Sequence, residues 1–173
     1  SRNPMTYANA ADVNIYIKRN FAPLEQRIQS IINIENKTPE IIAAAKANLN
    51  DSLALPFINL AIDIAKGSAG FLKNELVMAL QDVKNDSLMK SFNEANRKAI
   101  AAMEDYADYL KKEKLPKAHN RYAIGNENFQ KMLRYGEGIT MSTEDILKIG
   151  MAELKKEQES FNAAAHIIDP NKK

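Results

Sequence analysis

Apolar residues in the last third of the chain recur at helical spacing. They lie on one face of a helix, at steps of four, three, seven, four and three residues: Leu147, Met151, Leu154, Phe161, Ala165 and Ile168. Ser142 suits the N-cap, because its hydroxyl can accept from the backbone N–H of Asp145. The carboxylate of Asp145 also interacts favourably with the positive end of the helix dipole. Pro170 ends the pattern, since the residue before a proline is disfavoured in the α region. The sequence therefore predicts a helix over 142–168.

A second stripe of the same kind occupies the middle of the chain. Its apolar residues again follow steps of three and four: Leu88, Phe92, Ala95, Ala99, Met103, Tyr106 and Leu110. Asn85-Asp86-Ser87 is a turn and cap before it, and Pro116 stops it. This pattern predicts a helix over 87–113. Phe92 and Phe161, which lie in the middle of the two stripes, are both expected to be buried.

The first forty-nine residues show weaker patterns. The stretch from Asn3 to Tyr7 is expected to be extended, and Asp12 to cap a short helix. A stripe of Leu24, Ile28, Ile31 and Ile32 runs from Pro23 to about Asn36. Thr38-Pro39-Glu40 then combines an N-cap residue, a proline suited to the first turn and an early acid, which is typical of a helix start. The sequence therefore predicts a second helix there, with Ile41, Ile42, Ala45 and Leu49 on its apolar face.

The segment between those helices and the central stripe carries two glycines. Pro56 is expected to open a helix there, and Gly67-Ser68-Ala69-Gly70 to kink or break it, since each glycine costs a helix interior about 1 kcal/mol relative to alanine. Near the other end of the chain, Asn126 or Asn128 is expected to start a short helix. No segment alternates polar and apolar residues as a strand does. We predict an all-α fold of about seven helices packed as antiparallel hairpins, with no sheet and a single domain over 1–173.

Composition narrows the function without identifying it. The net charge of +2 is too small to indicate nucleic-acid binding by itself, and the absence of cysteine excludes disulfides and thiolate metal sites. No apolar run approaches the roughly 18–20 residues of a membrane span.

The residues with catalytic or metal-binding chemistry are few and scattered. His119 lies in a basic loop and His166 near the end of the last predicted helix, and neither has a partner at the spacing of an H-E-x-x-H zinc site. Carboxylates cluster at Glu104, Asp105 and Asp108, where a solvated helix face is the expected structure. We predict no catalytic, cofactor-binding or metal-binding residue in this chain.

Two further groups of residues, a basic tract and three methionines, could form binding surfaces, but each also has a simpler structural interpretation. A basic tract with a nearby aromatic residue could contact phosphate and stack on a base, although a solvated helix end is the preferred interpretation: Lys111, Lys112, Lys114, Lys117, Arg121 and Tyr122. The methionines Met132, Met141 and Met151 could form an adaptable binding surface, but filling of the core is the preferred interpretation.

One resemblance covers most of the chain, most clearly from Tyr122 to Leu154. The pattern there is a glycine, an acid, an aromatic and an apolar residue, then a helix cap with an acid, a further glycine and an acid–leucine pair: Gly125, Glu127, Phe129, Leu133, Ser142 or Thr143, Glu144 or Asp145, Ile146, Gly150, Glu153 and Leu154. It resembles the bacterial domain-of-unknown-function family eight-eighty-five. The resemblance implies a zinc peptidase of the H-E-x-x-H type, often exported, periplasmic or a lipoprotein.

The metal motif of that family is absent from this chain. The resemblance therefore implies a non-catalytic helical portion of a zinc metallopeptidase, a fragment whose metal site lies beyond Lys173. Zinc is then expected only in the full-length protein. The expected partners are the remainder of its own polypeptide and a peptide substrate, with no nucleic acid and no membrane span in this chain. The alternatives are a self-contained helical protein-interaction module without enzymatic activity and a family member that never had peptidase activity.

Overall fold

The structure, a computed structural model, describes residues 3–169, and no β-strand occurs among them. The all-α prediction is confirmed. The helices are α1 (Met5–Ala8), α2 (Asn14–Lys18), α3 (Leu24–Asn48), α4 (Leu55–Lys73), α5 (Glu75–Leu80), α6 (Asp86–Tyr109), α7 (Asn126–Gly136) and α8 (Thr143–Ile168). A π-helical turn (Leu110–Lys114) and a 3₁₀ turn (Leu115–Lys117) follow α6. The chain divides into two compact units, the first ending at Tyr122 and the second beginning at Ala123.

Helix α6 is the centre of the first unit, and α3 and α4 both pack against it. The side chain of Asn85 donates to Glu25 at 3.0 Å, and Lys46 pairs with Asp105 at 2.5 Å, so α3 and α6 run in the same direction. The hairpin prediction did not include this parallel pair. The core beneath these helices is aliphatic, with one large aromatic at each end of α6: Ile28, Ile31, Ile42, Ile58, Leu72, Leu76, Leu80, Phe92, Met103, Tyr106 and Leu110.

Helices α4 and α6 form the expected antiparallel pair. The amide of Asn96 donates to the carbonyl oxygen of Leu72 at 3.0 Å, and the hydroxyl of Ser52 donates to the carbonyl oxygen of Lys117 at 2.7 Å. The predicted helix over 87–113 is confirmed as α6, with the side chain of Asn85 accepting from the backbone N–H of Leu88.

The predicted helix start at Thr38-Pro39-Glu40 is wrong, because α3 continues through Pro39 to Asn48. The residues on both sides of the proline face α6 and are buried, among them Ile32 and Ile42. A proline inside a helix removes one backbone hydrogen bond at a cost of about 3 kcal/mol. Burial of two apolar stripes against one neighbouring helix offsets that cost.

The predicted kink at Gly67–Gly70 is also wrong. Helix α4 runs through both glycines and ends at Lys73, and the break comes at Asn74, whose side chain donates to the carbonyl oxygen of Gly70 at 3.0 Å. Pro56 lies in the first turn of α4, as expected.

The stretch Leu55–Leu80 is long and apolar enough to cross a membrane by length and composition, with a mean hydropathy of 1.2. The sequence-based expectation was that no apolar run approaches the length of a membrane span. About a third of this apolar window is buried in the first unit, with Ile58, Leu72 and Leu76 among its core residues, and one such helix is weak evidence of a membrane span.

The first residues are not extended as predicted, because Met5–Ala8 form one helical turn. The hydroxyl of Tyr106 on α6 donates to the carbonyl oxygen of Pro4 at 2.8 Å in a buried position. Burial, with smaller contributions from Tyr109 and Tyr7, raises the pKa of Tyr106 above its usual range, so that its hydroxyl stays protonated. Asp12 accepts from the backbone N–H of Asn14 at 3.1 Å, but the N-cap of α2 is Val13, so the predicted cap at Asp12 is wrong.

In the second unit, the predicted starts of both helices are confirmed. Helix α7 begins at Asn126 after Gly125, whose φ of 79° and ψ of 158° suit glycine. Helix α8 follows Ser142, whose hydroxyl accepts from the backbone N–H of Asp145 at 3.1 Å. It extends to Ile168, and the predicted stop at Pro170 lies outside the described residues.

Candidate functional site

The loop that carries His119 is bound to the loop before α4. The backbone N–H of His119 donates to the carbonyl oxygen of Leu53 at 3.0 Å, and its carbonyl oxygen accepts from Leu55 at 2.9 Å. Its Nδ1 accepts from the backbone N–H of Arg121 at 3.2 Å. These contacts give His119 a structural role in joining two loops, and they leave Nε2 as the ring nitrogen without such a contact.

Part of the basic tract after α6 is paired with two acids of the same unit. Lys112 pairs with Asp108 at 2.7 Å, and Lys117 pairs with Asp51 at 2.8 Å. The hydrogen bond from Lys117 holds the pKa of Asp51 below its usual range, and the same bond raises the pKa of Lys117. Lys114 also lies near Asp51, whereas no ion pair with a described residue is found for Lys111 or Arg121.

Lys114 differs from the other cations of the tract, because its side chain is 8% exposed. Its ammonium lies 5.7 Å from the centre of the Tyr109 ring and 3.7 Å from an oxygen of Asp51. The ammonium of Lys46 lies over the same ring at 5.2 Å. Contacts of this kind, a cation on an aromatic face beside a carboxylate, stabilise a desolvated lysine.

The predicted carboxylate cluster lies along an open groove of about 770 Å³ between α3, α4 and α6. Lysines alternate with acids along it, and its lining is Lys46, Lys66, Ala101, Glu104, Asp105, Ala107, Asp108, Tyr109, Lys112 and Glu113. Asp105 is paired with Lys46 and Asp108 with Lys112, which leaves Glu104 as the member of the predicted cluster without an ion pair. None of the described lining residues is a serine, cysteine or histidine, and its polar groups are lysines, carboxylates and Tyr109.

Zinc does not fit the donor set of this chain. In residues 3–169 no three side chains of the His, Cys, Asp and Glu types come together as metal ligands would. His119 lies in the first unit, with one ring nitrogen already engaged, and His166 lies exposed in the last turn of α8.

The main feature that sequence reasoning missed is the exposure of α8. The helix has the predicted period, yet none of its residues is buried, and Phe161 is 73% exposed. The prediction that Phe161 is buried is wrong. Periodicity shows that a helix has an apolar face, but it does not show which element covers that face.

The methionines of the second unit are exposed in the same way. Met132, Met141 and Met151 are between 46% and 58% exposed, so the preferred interpretation of them as core filling is wrong. Together with the apolar stripe of α8 they make the second unit rich in uncovered apolar surface. Such surface is typical of an interaction site.

The fold and these sites define an all-α protein with paired surface charges, a mixed-charge groove and one long apolar helix face. A family model described as a bacterial protein of unknown function, DUF885, matches residues 2–173. The match covers almost the whole chain, and the chain belongs to this family. No curated protein and no solved structure matches the chain.

Proposed function

We propose that this chain is a non-catalytic helical portion of a bacterial zinc metallopeptidase, whose metal site lies outside these residues. Membership of the DUF885 family supports the proposal, together with the peptidase activity that the sequence resemblance implies. In this proposal the helices form one wall of a substrate channel. The remainder of the same polypeptide supplies the zinc ligands.

The exposed apolar stripe of α8 is the observation that carries the proposal. Leu147, Met151, Leu154 and Phe161 repeat at steps of four, three and seven residues, and each is at least half exposed. A soluble domain rarely leaves such a stripe uncovered, because burying one large apolar side chain contributes about 1.5–3 kcal/mol. The remainder of the same polypeptide is the proposed cover.

The first test is the gene sequence downstream of Lys173. An H-E-x-x-H motif there supports the proposal. A stop codon directly after Lys173 contradicts it and favours the alternative, a self-contained helical interaction module whose exposed face binds another protein.

The second test uses the full-length gene product in a zinc-dependent peptide-cleavage assay. A charge on a buried apolar stripe is costly, so Leu154→Glu should lower cleavage by about tenfold or more. Lys156→Glu, on the opposite face of α8, should leave cleavage within about twofold, since surface substitutions rarely cost more than about 0.5 kcal/mol. Equal effects of the two variants would contradict the role of the stripe, and full-length protein without zinc-dependent cleavage would contradict the proposed activity.

A further inference from the structure

Glu35 lies in the middle of α3 with a relative exposure of 0%. Neither of its carboxylate oxygens has a hydrogen-bond partner. An unpaired carboxylate in an apolar interior is so costly that the group takes up a proton instead. In agreement with this geometry, burial raises the pKa of Glu35 from its ordinary value of 4.5 to about 8.

No opposite charge on the neighbouring elements offsets this burial. The helices packed against α3 are α1, α2 and α6. Helix α1 carries one titratable residue, Tyr7, and α2 carries two, Tyr16 and the exposed Lys18. On α6 the titratable residues are the buried Tyr106, the partly buried Tyr109 and an exposed charged set: Asp86, Lys90, Glu94, Arg97, Lys98, Glu104, Asp105 and Asp108.

Arg27 is the buried cation of α3 itself, two turns before Glu35. Its guanidinium donates to the carbonyl oxygens of Tyr16 at 2.7 Å, Ala22 at 2.9 Å and Arg19 at 3.2 Å. Those bonds hold it at the start of the helix. It is therefore committed to backbone acceptors. The other cations of α3 are paired elsewhere, Lys37 with Glu40 and Lys46 with Asp105, so Glu35 has no counter-ion in its own helix.

The backbone of α3 is weakest at the same place. Residue 39 is the position whose N–H would donate to the carbonyl oxygen of Glu35, and Pro39 has no N–H. This turn of α3 therefore lacks one of the regular backbone hydrogen bonds of an α-helix. The hydroxyl of Thr38 donates to the carbonyl oxygen of Ile34 at 3.1 Å. It therefore does not replace the hydrogen bond that the carbonyl oxygen of Glu35 lacks.

We propose that the middle of α3 is a proton-sensitive hinge, in which Glu35 must be protonated to stay buried and Pro39 makes the helix easy to open there. Ionisation requires water at the carboxylate, and the missing backbone bond makes this turn the place where the helix separates from α6. At low pH the hinge is closed, and as the pH rises opening becomes more frequent. This property concerns the first unit alone and does not depend on the proposed peptidase role.

The direction of the pH effect follows from proton linkage. In the closed state Glu35 holds its proton up to about pH 8, whereas in the open state it loses it near pH 4.5. Stability of the closed state is therefore greatest below about pH 4.5 and falls as the pH rises toward 8. Between those values the opening constant should grow about tenfold per pH unit, and above pH 8 it should level off.

Amide hydrogen exchange of the whole chain between pH 5.5 and 7.5 tests the hinge. Protection factors, which correct for the intrinsic pH dependence of exchange, should fall about tenfold per pH unit for amides near residues 35–43. Glu35→Gln, which keeps the shape of the neutral acid, should abolish this slope. Pro39→Ala is the matched control: it should raise protection at every pH and keep the slope.

A carbon-13 titration of the Glu35 carboxyl in the wild-type protein provides a measurement that needs no variant. A midpoint near 8 supports the hinge, and a midpoint near 4.5 overturns it. An equal slope in Glu35→Gln also overturns it. So does a slope of the same size in the amides of α4, because that result indicates global unfolding and not a local opening.

Discussion

At the scale of single residues, burial of polar groups has two outcomes in this protein. Arg27 is buried and donates to three backbone carbonyl oxygens, which take the place of water around its charge. Glu35 is buried without any such partner, and Asn96 leaves its side-chain oxygen unpaired while its amide binds Leu72. Each unpaired group costs about 1–3 kcal/mol, so the stability of the first unit rests on apolar burial around them.

The two phenylalanines predicted to be buried should now behave differently. Phe92 is 0% exposed, and Phe92→Ala should lower the free energy of unfolding by about 3–5 kcal/mol, because it removes apolar contacts and leaves a cavity. Phe161 is 73% exposed, and Phe161→Ala in this chain should change it by no more than about 0.5 kcal/mol.

Urea denaturation of the two variants checks this contrast. Equal midpoints in both variants would contradict the core assignment. A large loss in Phe161→Ala would show that α8 is covered in solution, through association of chains if the loss depends on protein concentration.

At the scale of elements, the sequence predicted helices well wherever local signals decide them. The caps at Asn85 and Ser142 were correct, since a side-chain oxygen three residues before a free N–H is a local arrangement. Pro39 was misread because a proline in the first turn and a proline in a helix interior give the same local pattern. The distinguishing contact is the burial of both halves of α3 on α6, which is distant in sequence.

The site was predictable to a similar extent. That neither histidine has a partner at the spacing of an H-E-x-x-H site is visible in the sequence, whereas the exposure of the α8 stripe is not. The burial of Glu35 follows the predicted stripe, because residue 35 lies four residues after Ile31 and three after Ile32. Its lack of a hydrogen-bond partner was not predictable, because that depends on side chains distant in sequence.

Two glycines give a prediction at the same scale. Gly67 has helical backbone and open space where a Cβ would be, so Gly67→Ala should stabilise α4 by about 0.5–1 kcal/mol. Gly125 also has open space, but its positive φ of 79° strains any other residue, so Gly125→Ala should destabilise the start of α7 by about 1–3 kcal/mol.

Amide exchange resolved by helix measures both glycine substitutions. A difference between the two substitutions reports the effect of backbone conformation alone, because a Cβ is not crowded at either site. Destabilisation of α4 by Gly67→Ala would mean that the helix bends at the glycines in solution, as the sequence had suggested.

At the scale of the whole molecule, the chain combines a well-packed first unit with a second unit whose long helix is uncovered. The ion pairs of the described residues, such as that of Lys37 with Glu40, lie mostly at the surface, where each contributes about 0–1 kcal/mol to stability. The family assignment covers both units. Both units expose large apolar side chains, among them Phe57 and Leu60 on α4 and the stripe of α8, which is consistent with a role in a larger assembly.

The zinc content of the purified chain is the prediction at this scale. Catalytic zinc needs about three protein ligands around an open position, and no such group is found in residues 3–169. Chain purified without chelator should carry less than one zinc per molecule and should not cleave peptides in added zinc. Stoichiometric zinc that is lost in His119→Ala or His166→Ala would contradict this and make the chain a metalloprotein by itself.

The parallel pairing of α3 with α6 has a consequence for synthesis on the ribosome. The contacts that join the two helices link residues 59 and 60 positions apart, so α3 leaves the ribosome long before its partner. At about 5–20 residues per second, the nascent chain carries the aliphatic face of α3 uncovered for about 3–12 s. Apolar surface that is transiently exposed in this way favours aggregation during synthesis. Variants that slow translation between α3 and α6 should therefore reduce the yield of folded protein without changing its final stability.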